Sequence, residues 1–325
     1  MQTKTTSNTP RETAEFLKTL DRVAITTHVG ADGDAIGSSV ALLYLMRSLG
    51  AEAVFCHAEE VPNYLRWLLP EPALRERPSD HDLLVVDTSR ADRTGVPIDS
   101  PNGASPGARL NLDHHEDNPL YAEVNLVEAR AAASAEIVAG LYPELGIPIE
   151  KSVAEALYTG LRADTGGFRF RNISPKVHEM VADLLRAGVV PAEVDDRLNR
   201  TGTIEQLRIV GVSLANAVRY GEAIISTVDE DDYRRTGATE LDSKEAIDHL
   251  RTVAGVDVVA HLRQVPQGTK GSLRSEKMDV GEIARGFGGG GYRLAAGYTY
   301  PGNPEEAKKA LLEALKGVVD LESAG

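Results

Sequence analysis

Short apolar runs alternate with helical patterns through the first half of the chain, and this alternation is what most restricts its fold. The run Leu-Leu-Val-Val at 83–86 is apolar at every position, which is typical of a strand buried on both faces of a parallel sheet. We predict strands at 23–27, 53–56, 83–87 and 110–113, and helices at 35–49, 134–141, 152–163 and 175–187. The first half is therefore expected to be an α/β domain with a parallel sheet.

The pattern changes after residue 190. Residues 191–219 are polar and helical, and we predict that they form a connecting helix. Beyond them we predict strands at 223–228, 256–265, 272–275 and 295–300, and helices at 243–253, 280–286 and 304–319. Because 325 residues exceed what one core usually holds, we predict a catalytic domain over 1–190, the connecting helix over 191–219 and a smaller α/β domain over 220–325.

Composition excludes several classes of protein. The formal net charge of -14 argues against a broad basic surface that grips duplex nucleic acid, although it leaves short anionic substrates open. Cys56 is the only cysteine, so any metal site must use histidine and carboxylate ligands. The sequence shows neither the apolar run of a secretory signal nor a membrane span, so we expect a cytoplasmic protein with no membrane partner.

Acidic and histidine residues fall just past the carboxyl ends of three predicted strands, the edge at which open α/β sheets bind ligands. The residues are His28, Asp32 and Asp34 after the first strand, Asp87 at the end of the third, and Asp113, His114 and His115 at the end of the fourth. Asp164, in a predicted turn before two glycines, is a further acidic candidate.

These residue types suit hard divalent cations such as Mn²⁺ or Mg²⁺. The alternative for Asp32 and Asp34 is that they cap the following helix, and a lone Asp87 or Asp164 is also compatible with a strand end or a turn. Taken together, however, the acidic groups would be a costly concentration of like charge without cations. The sequence therefore predicts a metal centre at this edge of the sheet.

The motifs resemble those of the DHH phosphoesterase family. The resemblance rests on His28-x-x-x-Asp32-x-Asp34, Asp87, Asp113-His114-His115 and Asp164, in that order. In the second half, Ser272-Leu273-Arg274-Ser275 and Gly288-Gly289-Gly290-Gly291 resemble the family's partner domain, called DHHA1. The length of the chain is similar to that of the family's NrnA-like branch of oligoribonucleases, also called nanoRNases.

The resemblance implies a pair of Mn²⁺ ions, with Mg²⁺ as the alternative, and a role for each residue of the motifs. It implies that Asp87 bridges the two ions, that Asp113 orients a histidine and that His115 faces the phosphate. The remaining implied ligands are His28 and Asp32 for one ion, and Asp34, His114 and Asp164 for the other.

Groups that bind the substrate are expected in the second domain. The candidates are Arg274, Ser275, Gly289, Gly290, Gly291 and Tyr292. A guanidinium can fork onto phosphate oxygens, although Arg274 is also compatible with a surface strand and the glycines with a tight turn. Tyr292 stands where the family has a histidine, and a tyrosine cannot carry the charge of an imidazolium, so the preferred substrate stays open. Phe168 either stacks on a base or packs in the core, and Arg169 and Arg171 are candidates for binding a downstream phosphate.

The implied function is a phosphodiesterase that degrades short RNA or DNA oligonucleotides to nucleoside monophosphates. A second implied activity is removal of a phosphate from 3'-phosphoadenosine 5'-phosphate (PAP). The alternatives are a phosphodiesterase for cyclic or linear dinucleotides, an inorganic pyrophosphatase and, from another class, a nucleotide sensor without catalysis. The sequence leaves open whether the chain forms a homodimer.

Overall fold

A parallel sheet of five strands forms the centre of the first half of the chain, and a second, mixed sheet forms the centre of the rest, which confirms the predicted α/β class. The computed structural model describes residues 7–98, 108–199 and 202–321. The chain divides into two units, Met1–Thr201 and Gly202–Gly325.

The first unit alternates strands and helices. Its strands are β1 (Arg22–Thr26), β2 (Glu52–Phe55), β3 (Asp82–Val86), β4 (Ala108–Asp113) and β5 (Val124–Val127), in the spatial order β2-β1-β3-β4-β5. Its helices are α1 (Pro10–Leu17), α2 (Gly33–Ser48), α3 (Ser134–Leu145), α4 (Lys151–Asp164), α5 (Pro175–Arg186) and α6 (Pro191–Asn199). A 3₁₀ turn, Asn63–Leu68, lies between β2 and β3.

Both faces of this sheet are covered, which explains the apolar runs within β1 and β3. In β1, Ile25 belongs to the large core that also contains residues of α2, α3 and α4. The preceding residue, Ala24, packs with Leu83 and Val85 on the opposite face. Since successive side chains of a strand point to opposite faces, a sheet covered on both sides requires a continuous apolar sequence.

Two elements of the first unit, α1 and β5, are missing from the predictions. Helix α1 follows a capping box in which Thr9 and Glu12 bond reciprocally to each other's backbone amides, so its start has a readable local signal. Strand β5 has four residues and includes the buried Asn125, and such a short strand with a polar residue has no distinctive pattern.

The second unit contains a mixed sheet of six strands. They are β6 (Val218–Tyr220), β7 (Ala223–Val228), β8 (Val258–Val265), β9 (Gly268–Arg274), β10 (Gly290–Tyr292) and β11 (Ala295–Tyr300), in the order β10-β11-β9-β8-β7-β6. Strands β7 and β8 are parallel and the other neighbours are antiparallel. The helices are α7 (Ile204–Ala215), α8 (Glu230–Thr236), α9 (Ala246–Leu250), α10 (Val280–Gly286) and α11 (Pro304–Leu315).

The structure differs from the predicted connecting helix over 191–219. Two helices, α6 and α7, occupy this span, and residues 218–220 form β6. Thr203 starts α7 afresh, because its hydroxyl accepts a hydrogen bond from the Gln206 amide at 3.1 Å. Residues 200–201 of the predicted helix lie outside the described part of the chain.

The helix predicted over 243–253 is also shorter than expected. A 3₁₀ turn, Glu240–Ser243, precedes α9, which has five residues. The turn begins earlier because Thr239 and Asp242 form a capping box there. Within the described residues, no helix has the length and apolar character needed to cross a bilayer.

Candidate metal centre and active site

The predicted strand-end residues meet at one edge of the parallel sheet. The Asp87 carboxylate lies among three imidazoles: Oδ2 is 3.6 Å from Nε2 of His28, and Oδ1 is 3.5 Å from Nε2 of His114. The Nδ1 atom of His115 lies 4.0 Å from the same Oδ1 atom. Asp87 directly follows β3 and has a φ of 56°, an uncommon conformation for a residue other than glycine that concentrates at functional sites.

Three groups of side chains each offer one ligand atom per residue, with the atoms of a group all within 4.8 Å of one another. The groups are His28, Asp32 and Asp87; Asp34, His114 and Asp164; and Asp87, His114 and His115. The first two groups contain the residues expected around each of the two ions. The roles of the individual ligands stay predictions.

Asp32 joins the loop after β1 to helix α2. Its Oδ1 atom accepts hydrogen bonds from the amides of Asp34 and Ala35, at 3.0 and 3.1 Å, so it caps the helix as the alternative interpretation required. Capping and metal binding are compatible, because a carboxylate has about four acceptor positions on its two oxygens. The cap places Asp32 beside His28 and Asp87.

Asp34 is fully buried and held by the first turn of α3. Its Oδ2 atom accepts from the Ser134 amide at 2.6 Å and its Oδ1 atom from the Ala135 amide at 2.9 Å. A helix N-terminus favours negative charge. The Ser134 hydroxyl donates to Oδ1 of Asp87 at 2.9 Å, so α3 orients two acidic groups of the centre. Gly160 leaves the necessary room, because a Cβ atom at that position would lie 2.6 Å from Oδ1 of Asp34.

The electrostatics of the cluster call for added positive charge. Burial raises the pKa of Asp34 well above its usual value, and the negative charges of Asp87 and Asp164 raise it further. Burial and the charge of Asp87 likewise raise the pKa of Asp32. Divalent cations would relieve this repulsion, and oxygen ligands with some imidazole suit hard cations. The clusters therefore have the composition and spacing to hold divalent metal ions.

The histidines of the centre are more basic than free imidazole. Burial opposes protonation of His114, but the hydrogen bond to Asp164, at 3.1 Å, and the charge of Asp87 outweigh it and raise its pKa to about 9. His28 shows the same balance: burial opposes the charge, and the hydrogen bond to Asp87 raises the pKa. Metal binding requires neutral imidazole, so a cation must displace these protons.

Asp113 orients His115 rather than His114. Its buried carboxylate accepts from Nδ1 of His115 at 2.6 Å, and this bond raises the pKa of His115. The side chain of His115 is 44% exposed, so it is open to a ligand. The Asn118 amide donates to Oδ2 of Asp113 at 2.5 Å and to Oδ1 of Asn111 at 2.7 Å. Sequence reasoning missed Asn118, which lies in a loop without a regular pattern.

His57 is a second residue that sequence reasoning missed, because a lone histidine outside the motifs carries no signal of its own. It is 1% exposed, and its Nε2 atom lies 3.0 Å from the carbonyl oxygen of His28. A carbonyl oxygen can only accept, so Nε2 donates its proton to it, and Nδ1 can then accept from the backbone amide of Glu59 at 3.2 Å. The Glu59 carboxylate accepts from the Gly30 amide at 2.6 Å, which holds the other side of the loop. His57 also follows a parallel strand, β2, which is the positional signal that identified the other residues.

The predicted substrate-binding residues lie in the second unit. Arg274 ends β9 and is half-buried, and its Nη1 atom donates to the carbonyl of Leu273 at 2.9 Å. Ser275 differs from the expectation of a hydroxyl open to substrate: it is 6% exposed, and its hydroxyl oxygen accepts from the amides of Lys277 and Met278. This hydroxyl also lies 3.1 Å from Oδ2 of Asp257, so it stabilises the turn after β9.

The glycine run is partly explained by close packing within its own sheet. A Cβ atom at Gly289 would lie 2.2 Å from the carbonyl oxygen of Gly297, and one at Gly291 would lie 2.6 Å from that of Ala295. Gly290 has open space around it. Tyr292, at the end of β10, is 69% exposed. Binding of substrate by these residues stays a prediction.

The comparison with known proteins agrees with this geometry. Residues 22–161 match the family model described as the DHH family, N-terminal domain. A protein of Thermus thermophilus named bifunctional oligoribonuclease and PAP phosphatase NrnA is 34% identical over 315 residues, which cover 94% of this chain and 93% of that protein. This chain belongs to the DHH family.

Two further likenesses extend beyond the matched DHH domain. The protein of the same name from Bacillus subtilis is 24% identical over 292 residues, covering 87% of this chain and 91% of that protein. The crystal structure of an exopolyphosphatase-related protein from Bacteroides fragilis has a TM-score of 0.83 and 23% identity, and covers 94% of this chain and 95% of that one. The structural likeness shows the fold.

Membership of the DHH family makes the chain a hydrolase that acts on phosphate esters. The DHH span includes the candidate ligands from His28 to His114, whereas Asp164 lies just beyond its last matched residue. The structure nevertheless places Asp164 beside His114 and Asp34. The complete cluster therefore depends on α4, which brings its last residue back to the sheet edge.

Proposed function

We propose that this chain is a dinuclear-metal phosphodiesterase that degrades short oligoribonucleotides to nucleoside monophosphates and also removes a phosphate from PAP. The observation that supports it most is the position of Asp87, whose two carboxylate oxygens lie near the imidazoles of His28 and His114, which belong to two different ligand groups. A carboxylate placed in this way suits a bridge between two cations. The names of the relatives from Thermus thermophilus and Bacillus subtilis support the choice of substrate.

The proposed ligand sets follow the two groups at the sheet edge. Asp87 would be shared, and the remaining ligands would be His28 and Asp32 for one ion, and Asp34, His114 and Asp164 for the other. We propose Mn²⁺ as the natural ion and Mg²⁺ as the alternative, because the ligands mix carboxylate with imidazole. When bound, such ions polarise a phosphoryl group and make a water nucleophilic near neutral pH.

The side chains around the centre have distinct tasks in this proposal. Asp113 holds the imidazole of His115 by its Nδ1 atom, which leaves Nε2 free to donate to a phosphate oxygen or to a leaving group. The raised pKa of His115 favours the protonated, donating form. Ser134 and the first turn of α3 keep Asp34 and Asp87 in place, so the ligands need little rearrangement.

Substrate recognition in the second unit is proposed for Arg274, Gly289, Gly290, Gly291 and Tyr292. A guanidinium binds phosphate oxygens, and the exposed ring of Tyr292 can stack on a base. Glycines have no side chain to keep a phosphate from the backbone, and Gly290 and Gly291 are exposed. Ser275 would act indirectly, by fixing the turn that follows Arg274. We further propose that the enzyme works in the cytoplasm, where short RNA fragments and small nucleotides arise.

The test is release of mononucleotides by the metal-loaded protein from a diribonucleotide, a 20-mer RNA and PAP, with Mn²⁺ or Mg²⁺. We expect Mn²⁺-dependent cleavage, with the dinucleotide preferred over the 20-mer. Asp87→Asn should abolish turnover with all three substrates. Asp92→Asn is the matched control, because Asp92 is exposed, pairs with Arg90 and lies outside the cluster.

Two outcomes would contradict the proposal. Full turnover by Asp87→Asn would show that this carboxylate is not shared between catalytic ions. Binding of dinucleotide without any release of product would instead indicate a sensor. Cyclic and linear diadenylate in the same panel distinguish an oligoribonuclease from a phosphodiesterase dedicated to dinucleotide messengers.

A further inference from the structure

A groove on the first unit leads away from the metal centre. Asp32 and Asp164 border a cavity of 230 Å³, which also has Tyr64 in its wall. A larger cavity of 790 Å³ adjoins it and ends at the loop from Gly166 to Arg169. The two cavities share part of their walls, namely Arg162, Ala163 and Asn199. The larger cavity has the size of a small-molecule site, about 300–1,000 Å³.

An aromatic ring is built into the wall nearest the metal centre. Tyr64 is 36% exposed and lies on the 3₁₀ turn between β2 and β3. The indole of Trp67 donates to the carbonyl of Tyr64 at 2.9 Å, and the guanidinium of Arg197 lies 4.5 Å from the centre of the Trp67 ring. This packing fixes the backbone of Tyr64 while its ring stays open to a ligand. Such a ring suits stacking on a nucleobase, which tolerates any base.

The middle of the groove is polar and ordered. Arg162 forms an ion pair with Asp195, and the Asn199 amide donates to Oδ1 of Asp195 at 2.9 Å. Arg162 therefore has its charge balanced, but a guanidinium has five donors and this pair leaves others for hydrogen bonds to a sugar or a base. The groups can orient a ligand without adding net charge.

A positive group stands at the far end. Arg169 is exposed and lines the larger cavity. Its Nε atom donates to the carbonyl of Gly166 at 2.7 Å, which ties the guanidinium to the loop. The loop is unusual because Gly166, Gly167 and Phe168 all have positive φ, 57°, 71° and 65°. Such a conformation at a residue like Phe168 is costly and concentrates at functional sites. The Phe168 ring itself packs against Tyr158, with ring centres 5.5 Å apart, so it belongs to the core.

The two ends of the groove therefore suit two phosphates, one at the predicted cations and one at Arg169, with a nucleoside between them. We propose that this groove binds the nucleotide next to the scissile phosphate, with its base against Tyr64 and its outer phosphate toward Arg169. This inference rests on the proposed function, and it places part of substrate recognition on the first unit. Because the groove has room for one such nucleotide, a dinucleotide already makes all the contacts that the groove offers. A longer RNA chain would gain no further contact in the groove.

The test uses Trp67, the only tryptophan of the chain, as a fluorescent reporter, because its indole bonds to the backbone of Tyr64 in the cavity wall. The full-length protein in Mg²⁺ is titrated with a diadenylate whose internal linkage is a non-hydrolysable methylphosphonate, with and without a terminal phosphate. We expect a saturable change in Trp67 fluorescence and tighter binding of the phosphorylated form. By calorimetry, Tyr64→Leu should weaken binding by about tenfold or more, and Arg169→Gln should remove the advantage of the terminal phosphate.

Arg186→Gln is the matched control, because Arg186 is an exposed arginine of the same unit that pairs with Asp183 on α5 and does not line the groove. This variant is expected to bind the ligand like the wild type. Unchanged Trp67 fluorescence at saturation, or an unchanged dissociation constant in Tyr64→Leu, would overturn the groove assignment. Failure of the proposed function looks different: the wild type would bind the dinucleotide in the groove but would release no mononucleotide in Mn²⁺. Cleavage with an unaltered KM in Tyr64→Leu would refute the groove alone.

Discussion

Metal-free protein should lose stability as the pH rises from neutral to alkaline values. The folded-state pKa of His114 is about 9, against an ordinary value of 6.5, because the bond to Asp164 and the charge of Asp87 outweigh burial. Between these two pH values the folded protein holds a proton that the unfolded chain releases. The stabilisation from protonated His114 is therefore fully present below about pH 6.5 and is lost as the pH rises through about 9.

The size of the effect follows from the shift. At about 1.4 kcal/mol per pKa unit, His114 contributes about 3 kcal/mol to the free energy of unfolding at low pH. The raised pKa values of His28 and His115 act in the same direction. Urea unfolding in EDTA at pH 6.5, 7.5 and 9 measures this loss. The pH values run from the ordinary pKa of histidine, 6.5, to the raised pKa of His114, about 9. Trp67 fluorescence restricts the signal to the first unit.

Two variants and one ligand make this experiment decisive. His114→Gln should flatten the pH dependence by about 3 kcal/mol, whereas His178→Gln, at an exposed histidine of the same unit, should retain it. Saturating Mn²⁺ should reverse the trend, because the cation binds neutral imidazole and competes with protons. Equal or greater stability of the chelated wild type at the alkaline end would refute the reasoning.

Substitutions at three residues, His57, Asn118 and Gly160, test how the centre is supported. His57→Ala should weaken Mn²⁺ binding about 10–100-fold in calorimetry. His57→Gln should restore most of the affinity, since a side-chain amide can both donate and accept. An unchanged Mn²⁺ affinity in the alanine variant would exclude a role for His57 in holding the His28 loop. Asn118→Ala should lower the free energy of unfolding by about 1–3 kcal/mol in urea, because it leaves buried acceptors without a donor. Gly160→Ala should cost about 1–3 kcal/mol and weaken Mn²⁺ binding, because its new Cβ atom would meet Asp34. Gly140→Ala, a helix position with open space, should instead be neutral or stabilising by up to about 1 kcal/mol.

The α/β class and the place of the site followed from local patterns. Strands covered on both faces favour unbroken apolar runs, and such runs are visible in β1 and β3 without any structure, whereas polar residues interrupt β4. Parallel strands end at one edge, so acids and histidines that follow several of them must meet. The same argument applies to His57 after β2, which was overlooked because a single histidine carries no motif.

Other elements had weaker local signals. The break between α6 and α7 depends on one threonine cap, and the short strands β5 and β6 form because neighbouring strands offer hydrogen-bonding edges. Short elements gain little from their own sequence, so their neighbours decide whether they form. The 3₁₀ turn that carries Tyr64 is another such short element, with six residues.

Strand period and ligand chemistry are local properties, so the class of the first unit, the residues at its sheet edge and the kind of metal they suit were predictable from the residues alone. The groups that hold those residues in place emerged only from the packing of the chain. The α3 amides on Asp34, Asn118 on Asp113 and the engaged hydroxyl of Ser275 are contacts whose partners depend on how the chain packs. Packing selects partners by shape and distance, and neither quantity is written in the spacing of residues along the chain.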